Sequence, residues 1–359
     1  MPNVMSDFMS NIMSKIKPSP KKLECKHPGD TCVRALTYNL SWASQKKVTG
    51  PEVSEADFVE ACINKGIDCY NKALTQIKSL HLLNNFDVIG IQEVEDPDLV
   101  TSICESTGLD GWYRGATWHS KAKVYSGCAI MWNTKTLGTM VTGKTINLAP
   151  IDKDARTCII ITTSKDINLI VAHFPWLETQ DNVSSVADII NAHITSDGPI
   201  IILADTNDYN TFITKDTPLI IKNKSLSHGL SKEAANKLIK SCCWHIPGHK
   251  YGHFNGTGDY ILSEKVELIV IASPKPANSD KELELYSDHM PVAATIILPD
   301  NREMTGSGTR KSIRQIKSAS LTRTRTSNTT RKSIRQIKSA SLTRTRTRNN
   351  TRKLRAASF

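Results

Sequence analysis

Six times between residues 32 and 298, a strand-length apolar run is bounded by a carboxylate, a carboxamide or an imidazole. VRALTYN ends on Asn39, FDVIGIQE ends on Glu93, and INLIVAHFP carries His173. PIIILADTNDYN (199–210) runs into Asp205, Thr206, Asn207 and Asp208. GTGDYILSE opens on Asp259, and ELYSDHMPVAATI places Asp288 and His289 just ahead of its apolar run. A short continuous apolar run between turn-forming residues reads as a strand buried on both faces. Strands of that kind need a layer on each side, so the chain must build stacked sheets and helices. One Asn or Asp at a strand end is ordinary turn chemistry, because these side chains bond their own backbone. The repetition instead suggests loops at one end of a rigid sheet scaffold, where chemistry is commonly carried.

Further strands are expected at 33–40, 86–91, 128–132, 157–162, 168–172, 259–262, 266–271 and 292–297. Helical periodicity is found at 55–64, at 67–83 after an interruption near Gly66, and at 181–194. Strands outnumber helices, and several connections are too short for a helical crossover. The pattern predicts an α/β layered fold that is mixed or antiparallel rather than uniformly parallel.

The chain has 359 residues, enough for one large domain or two ordinary ones. Its net charge of +11 is unevenly placed: residues 304–359 hold 16 Lys or Arg and no Asp or Glu, which leaves residues 1–303 at −5. The body therefore carries no general basic groove. RKSIRQIKSASLTRTRT occurs at 310–326 and again at 331–347, and RKLRAAS (352–358) resembles a third start. The unit has too few apolar residues to stack a core, so it reads as a disordered basic tail. The division expected is an N-terminal segment at 1–31, a catalytic domain at 32–300 and the tail at 301–359.

Val4, Met5, Phe8, Met9, Ile12, Met13 and Ile16 lie at helical spacing. They suggest a short amphipathic helix that docks on the body, on a partner or on an anionic membrane surface. KPSPKK (17–22) then reads as a linker. The nine cysteines are scattered and contain no CxxC pair, and there is no signal-peptide pattern. Reduced cysteines in an intracellular, reducing compartment are expected. No apolar run approaches the roughly 20 residues needed to span a bilayer.

Taken in order, Y-N (38–39), Q-E (92–93), the His of AHFP (172–175), D-T-N (205–207), G-D-Y-I-L (258–262) and S-D-H-x-P-V (287–292) resemble the endonuclease/exonuclease/phosphatase superfamily, with its deoxyribonuclease I-like fold. The resemblance spans about residues 32–298. It implies a four-layer sandwich of two mainly antiparallel sheets flanked by helices, with the active site at one end of the sheets. Ala204 stands where the family commonly has glycine, and Ser41 and Trp42 follow Asn39 where some members carry an acidic residue. The Pro-x-Trp-x-Asp-Arg signature of the inositol polyphosphate phosphatases is absent around Asp259.

Hydrolysis of a phosphodiester needs an activated water, charge neutralisation at the phosphoryl oxygens and a proton or cation for the leaving oxygen. Mg²⁺, or Mn²⁺ in its place, suits a set of oxygen ligands. The resemblance makes Glu93 the leading metal ligand, with Asn39 beside it and Asp288 as a further ligand or a group behind the ligands. It casts Asp205 as the group that positions and deprotonates water, and Asn207 as a phosphate-oxygen or Asp-orienting group. His289 paired with Asp259 would face the phosphate, and His173 would steady developing charge or protonate the leaving oxygen. Arg156 is a candidate phosphate grip and Trp176 a candidate stacking surface for substrate.

Three substrate classes stay open on sequence alone. A nuclease or DNA-processing phosphodiesterase fits the site set and a tail able to bind nucleic-acid backbones. An enzyme of small or lipid-linked phosphoesters fits an N-terminal helix and tail that favour anionic membranes. A non-catalytic nucleic-acid-binding protein would leave the acidic and histidine set without purpose.

Overall fold

The computed structural model describes residues 23, 31–40, 69–94, 97–119, 124–149, 156–242, 256–272, 287 and 289–299. The expected helices at 3–17 and 55–64, the linker at 17–22 and the tail lie outside the described residues, as does Asp288.

Two sheets form the centre. With strands numbered in chain order, the first sheet runs β12 (Val266–Ile271), β13 (Val292–Leu298), β1 (Thr31–Asn39), β2 (Val88–Gln92), β4 (Val124–Trp132) and β3 (Gly111–His119). The second runs β11 (Asp259–Ser263), β8 (Ile200–Asp205), β7 (Asn168–His173), β6 (Thr157–Thr163) and β5 (Met140–Asn147). A separate hairpin joins β9 (Leu219–Ile221) to β10 (Lys224–Leu226). Neighbours are antiparallel except for one parallel pair in each sheet, β1 with β2 and β7 with β8. Parallel neighbours need a crossover. Helix α1 (Cys69–Asn84) lies in the first such connection and α4 (Gln180–His193) in the second.

The period-2 alternation of each strand sorts its residues between two cores. Val33, Ala35, Val88, Ile130 and Trp132 of the first sheet meet Ile159, Leu169, Val171, Ile201, Leu203 and Ile261 of the second in a core between the sheets. Gly90 is required there: a Cβ at that position would lie 2.6 Å from Leu203 Cβ and 2.8 Å from Val171 Cγ2. The opposite faces are covered by helices. Leu36, Tyr38, Ile89, Ile91 and Met131 pack under Ala73, Ile77 and Leu80 of α1 and Leu99, Val100 and Ile103 of α2 (Pro97–Thr107). Ile160, Ile170, Ile202 and Ala204 pack under Val183, Val186, Ala187 and Ile190 of α4. Helix, sheet, sheet and helix make the four-layer sandwich that the resemblance implies. The short helices α3 (Thr134–Leu137) and α5 (Lys232–Leu238) are capped by the side chains of Asn133 and Ser231.

The edge strands β3 and β5, the β9–β10 hairpin and helices α2, α3 and α5 are not marked in the sequence. Strand β5 (MVTGKTIN) is exposed along almost its whole length, so it carries no apolar run to mark it. Strand β3 (GWYRGATWH) leaves Trp112 and Trp118 half exposed at the sheet edge. The cysteine expectation also needs correction. Cys32, at the start of β1, and Cys242, beside His289, are each disulfide-bonded, whereas Cys104, Cys128 and Cys158 are free. Irregular spacing in the sequence does not show this. Among the described residues, no helix is long and apolar enough to cross a membrane.

His228 is a buried titratable group whose ring packs against Tyr260, 4.6 Å between centroids. Its Nε2–H donates to the Ile213 carbonyl at 2.8 Å, and its Nδ1 accepts from the Leu230 N–H at 3.2 Å. Burial holds its pKa down at about 4 against an ordinary 6.5, because charging would bring an unsolvated cation and a second ring proton. The folded pKa is depressed, so the unfolded chain binds more protons between these values. The stabilisation is present above pH 6.5 and is lost as pH falls towards 4, by about 3 kcal/mol in all. Urea unfolding of the wild type and His228→Gln at pH 7 and pH 4 should show the wild type losing about that much more stability than the variant. A stability gap that does not change with pH would contradict this role.

Candidate active site

The inward-facing row of each central strand ends on a polar group. Along β8 the row is Ile201, Leu203, Asp205; along β7 it is Leu169, Val171, His173; along β1 it is Val33, Ala35, Thr37, Asn39. Register aligns these ends: His173 pairs with Asp205 and Asp205 with Asp259 across the second sheet, while Asn39 pairs with Gln92 across the first. The site is therefore the polar end of the core between the sheets. A layer of hydrogen bonds separates it from the hydrocarbon: Gln92 Nε2 donates to Thr37 Oγ1 at 3.0 Å and to the Leu203 carbonyl at 3.1 Å. The second of these bonds ties one sheet to the other.

Asp205 is the hub. Its Oδ2 accepts from Asn39 Nδ2 at 2.8 Å and lies 3.5 Å from His173 Nε2 and 3.8 Å from His289 Nε2. Its Oδ1 accepts the Asn207 backbone N–H at 3.0 Å. Burial pushes its pKa up to about 7, with the Asp259 charge adding to the shift and His289, Asn39 and the Asn207 N–H opposing it. Asp208, three residues on, acts differently. Its two oxygens accept from the Phe212 and Ile213 N–H groups at 2.8 Å each and hold the loop. The two carboxylates of DTND thus divide into one that faces the site and one that builds the turn.

Two histidines flank the hub in different states of organisation. His289 Nδ1 donates to Asp259 Oδ2 at 2.9 Å, which fixes the ring and leaves Nε2 facing Asp205. Ser287 Oγ accepts from the His289 N–H at 3.1 Å and donates to the Asn39 carbonyl at 2.6 Å, so it clamps the two strand ends together. The Asp259 backbone N–H donates to Ser241 Oγ at 2.9 Å, and the buried Oδ1 of Asp259 has no partner among the described residues. His173 Nε2 lies 2.8 Å from Arg156 Nη1. A guanidinium can only donate. Nε2 must then accept, and the ring proton sits on Nδ1, 3.7 Å from Glu93 Oε1. This tautomer is uncharged and leaves His173 an orienting role; its Nε2 has no proton for a leaving oxygen while Arg156 is in place.

Glu93 follows β2 with φ 60°, and Asn207 has φ 47°. Left-handed backbone is tolerable for Asn but costs a glutamate about 1–2 kcal/mol. Such strain collects where geometry matters more than stability. Glu93 Oε1 accepts from Asn39 Nδ2 at 3.2 Å, so that amide bridges Glu93 and Asp205. In this orientation Asn39 presents nitrogen; an amide turned end for end presents Oδ1 to the same cleft. Ligand atoms of Glu93, His173 and Asp205 lie within 4.8 Å of one another, and so do those of Asp205, Asp259 and His289.

Of the residues singled out in the sequence, Asn39, Glu93, Arg156, His173, Asp205, Asn207, Asp259 and His289 come together here. Trp176 stands at the rim, 59% exposed. Three neighbours were missed. Tyr209 donates to Asn207 Oδ1 at 3.1 Å, Cys242 Sγ lies 3.5 Å from His289 Nε2, and Ser287 forms the clamp. Tyr209 and Ser287 sit inside stretches already singled out. Cys242 is brought in by a backbone bridge to His289 that only the fold makes.

Backbone hydrogen bonds on either side, from the Leu40 N–H to the Gln92 carbonyl and from the Val94 N–H to the Gly127 carbonyl, hold Glu93 in this conformation, so any residue with a Cβ keeps the cost. Glu93→Gly should unfold in urea about 1 kcal/mol later than Glu93→Ala, since only glycine adopts this φ freely. Equal stabilities would show that Glu93 bears no strain.

No protein-family model matches the chain. No curated protein matches it either. Solved structures do. ANGEL2, a 2',3'-cyclic phosphatase solved in complex with adenosine-2',3'-vanadate, aligns with a TM-score of 0.50 at 14% identity, covering 77% of this chain and 99% of that one. Truncated Caenorhabditis elegans TDP2 aligns at 0.44 and 15% identity over 74% of this chain and 97% of its own. The human Nocturnin catalytic domain with bound sulfate aligns at 0.44 and 13% over 74% and 93%. At such identities the likeness is one of backbone arrangement. The two packed sheets, their helical outer layers and the ANGEL2 alignment give this chain the fold of the endonuclease/exonuclease/phosphatase superfamily.

Proposed function

We propose that this chain is a divalent-metal-dependent phosphodiesterase that hydrolyses nucleic-acid phosphodiester bonds. The observation that carries the reading is the convergence of Glu93, His173, Asp259 and His289 on the buried carboxylate of Asp205. The donor set fits a hard cation such as Mg²⁺ or Mn²⁺: the carboxylates of Glu93 and the buried Asp205 meet across one carboxamide, that of Asn39. Glu93 would hold the ion, with Asp205 and Asn39 adjoining. When bound, it would supply charge neutralisation at the phosphoryl oxygens.

The chain's own groups do the rest. Asp205, whose Oδ2 faces both histidines, accepts a proton from the attacking water. His289, held by Asp259, faces the phosphate and supplies a donor when protonated. Asn207 Nδ2 donates one hydrogen to the Phe174 carbonyl at 2.8 Å, and its second is directed to a phosphate oxygen. Arg156 adds positive charge beside His173. The tail, with 16 cationic residues, would add affinity for phosphate backbones that is independent of sequence.

The test is a panel of supercoiled plasmid, single-stranded DNA and RNA, a 2',3'-cyclic nucleotide and soluble and lipid-linked phosphomonoesters, each with Mg²⁺ and with EDTA. Cleavage of nucleic acid should vanish with the chelator and fall by about 10²–10⁴-fold in Asp205→Asn. A chain lacking 304–359 should retain the chemical step while its DNA binding weakens and depends less on salt. Turnover confined to monoesters, to the cyclic nucleotide or to lipid would replace this substrate class with another. Turnover that survives EDTA would refute the metal.

A further inference from the structure

We propose that Trp176 and Tyr209 form an aromatic wall that takes a nucleobase of the substrate beside the reacting phosphate, and that the Tyr209 hydroxyl sets the orientation of Asn207. This rests on the phosphodiesterase reading above and narrows it to substrates that carry a planar ring next to the cleaved bond.

The wall is built by the two loops that leave the site. Trp176 follows β7 by three residues and Tyr209 follows β8 by four. The loops are laced together at the site itself: the Phe174 N–H donates to the Asp205 carbonyl at 2.8 Å, Asn207 Nδ2 to the Phe174 carbonyl at 2.8 Å, and the Leu177 N–H to the Asn207 carbonyl at 3.4 Å. The rings meet edge to face, with centroids 6.3 Å apart at 87°. Tyr209 also lies against Gly256, where a Cβ would come within 2.5 Å of Tyr209 Cδ1. Despite this support, Trp176 is 59% exposed and Tyr209 40%. Two large rings are thus held in fixed relation, each with part of its surface open, over the edge of a polar site. Stacking a base is what such a surface does well, since every base has a π-face.

The hydroxyl also acts on the site itself. Asn207 Oδ1 accepts from Tyr209 while Nδ2 donates to Phe174, so the amide cannot be turned round without setting oxygen against oxygen. The remaining Nδ2 hydrogen is thereby aimed rather than free to choose. Tyr209 is a positioning residue on the reaction side and, through its ring, a specificity residue on the substrate side.

The experiment compares a trinucleotide with the same chain carrying an abasic tetrahydrofuran unit at each position in turn. Dissociation constants are measured on full-length Asp205→Asn protein, and kcat and KM on protein with Asp205 intact. In both backgrounds Trp176→Ala should weaken the base-bearing ligand about tenfold to a hundredfold, leave the ligand that is abasic at the stacking position within about twofold, and be largely rescued in Trp176→Phe. Tyr209→Phe keeps the ring and should lower kcat with KM unchanged, whereas Tyr209→Ala should change both. Equal effects of Trp176→Ala on base-bearing and abasic ligands, or none on either, would overturn the wall. Equal loss of KM and kcat in Tyr209→Phe would overturn the positioning role. If neither ligand is cleaved by the wild type, the phosphodiesterase reading fails, and the dissociation constants alone still decide the wall.

Discussion

The face-to-face packing of the two sheets is the constraint on which the site depends. Each sheet contributes one parallel pair, and the carboxyl ends of all four strands emerge at the same end of the sandwich. The contact of Gly90 with Leu203 and Val171 sets how closely β2 approaches β7 and β8. The Gln92 bond to the Leu203 carbonyl then fixes the same spacing one step nearer the site. Asn39 of one sheet reaches Asp205 of the other only because that spacing is held. Rows of aliphatic side chains act as the rigid stem, and their last members are exchanged for polar groups.

That exchange has an electrostatic consequence. Asp205 is almost fully buried, and its raised pKa follows from its removal from water more than from any one neighbour. The arrangement around it is graded. Asp259 is fully buried and organises His289, while Glu93 lies at the open side on strained backbone. A carboxylate cluster of this kind is unfavourable for folding alone, and a bound cation would relieve it.

Much of this was legible in the chain and some was not, for separable reasons. Strands buried on both faces announce themselves, so β1, β2, β6, β7, β8, β11 and β13 were found within a few residues of their bounds. Strand β5 is an edge with almost no buried face, and nothing in MVTGKTIN marks it. The site residues could be singled out because each interrupts an apolar run. Their mutual distances could not, since Asn39 and His289 are 250 residues apart in sequence. The proton on His173 follows from the position of Arg156 Nη1, which spacing cannot give. Tyr209 carries no signal in the sequence, because a tyrosine in a turn is ordinary until the fold brings its hydroxyl back onto Asn207. The disulfide-bonded Cys32 and Cys242 were read as reduced for the same reason.

The central claim is that one divalent cation is held at the shared end of the two sheets. Crystals grown with Mn²⁺ and measured at a wavelength where manganese scatters anomalously test it directly. The account predicts a strong peak about 2.1 Å from a Glu93 carboxylate oxygen, on the side facing Asp205 and His173, and no such peak in Glu93→Gln crystals. A manganese peak bound elsewhere with this cleft empty, or one that persists unchanged in Glu93→Gln, would contradict it.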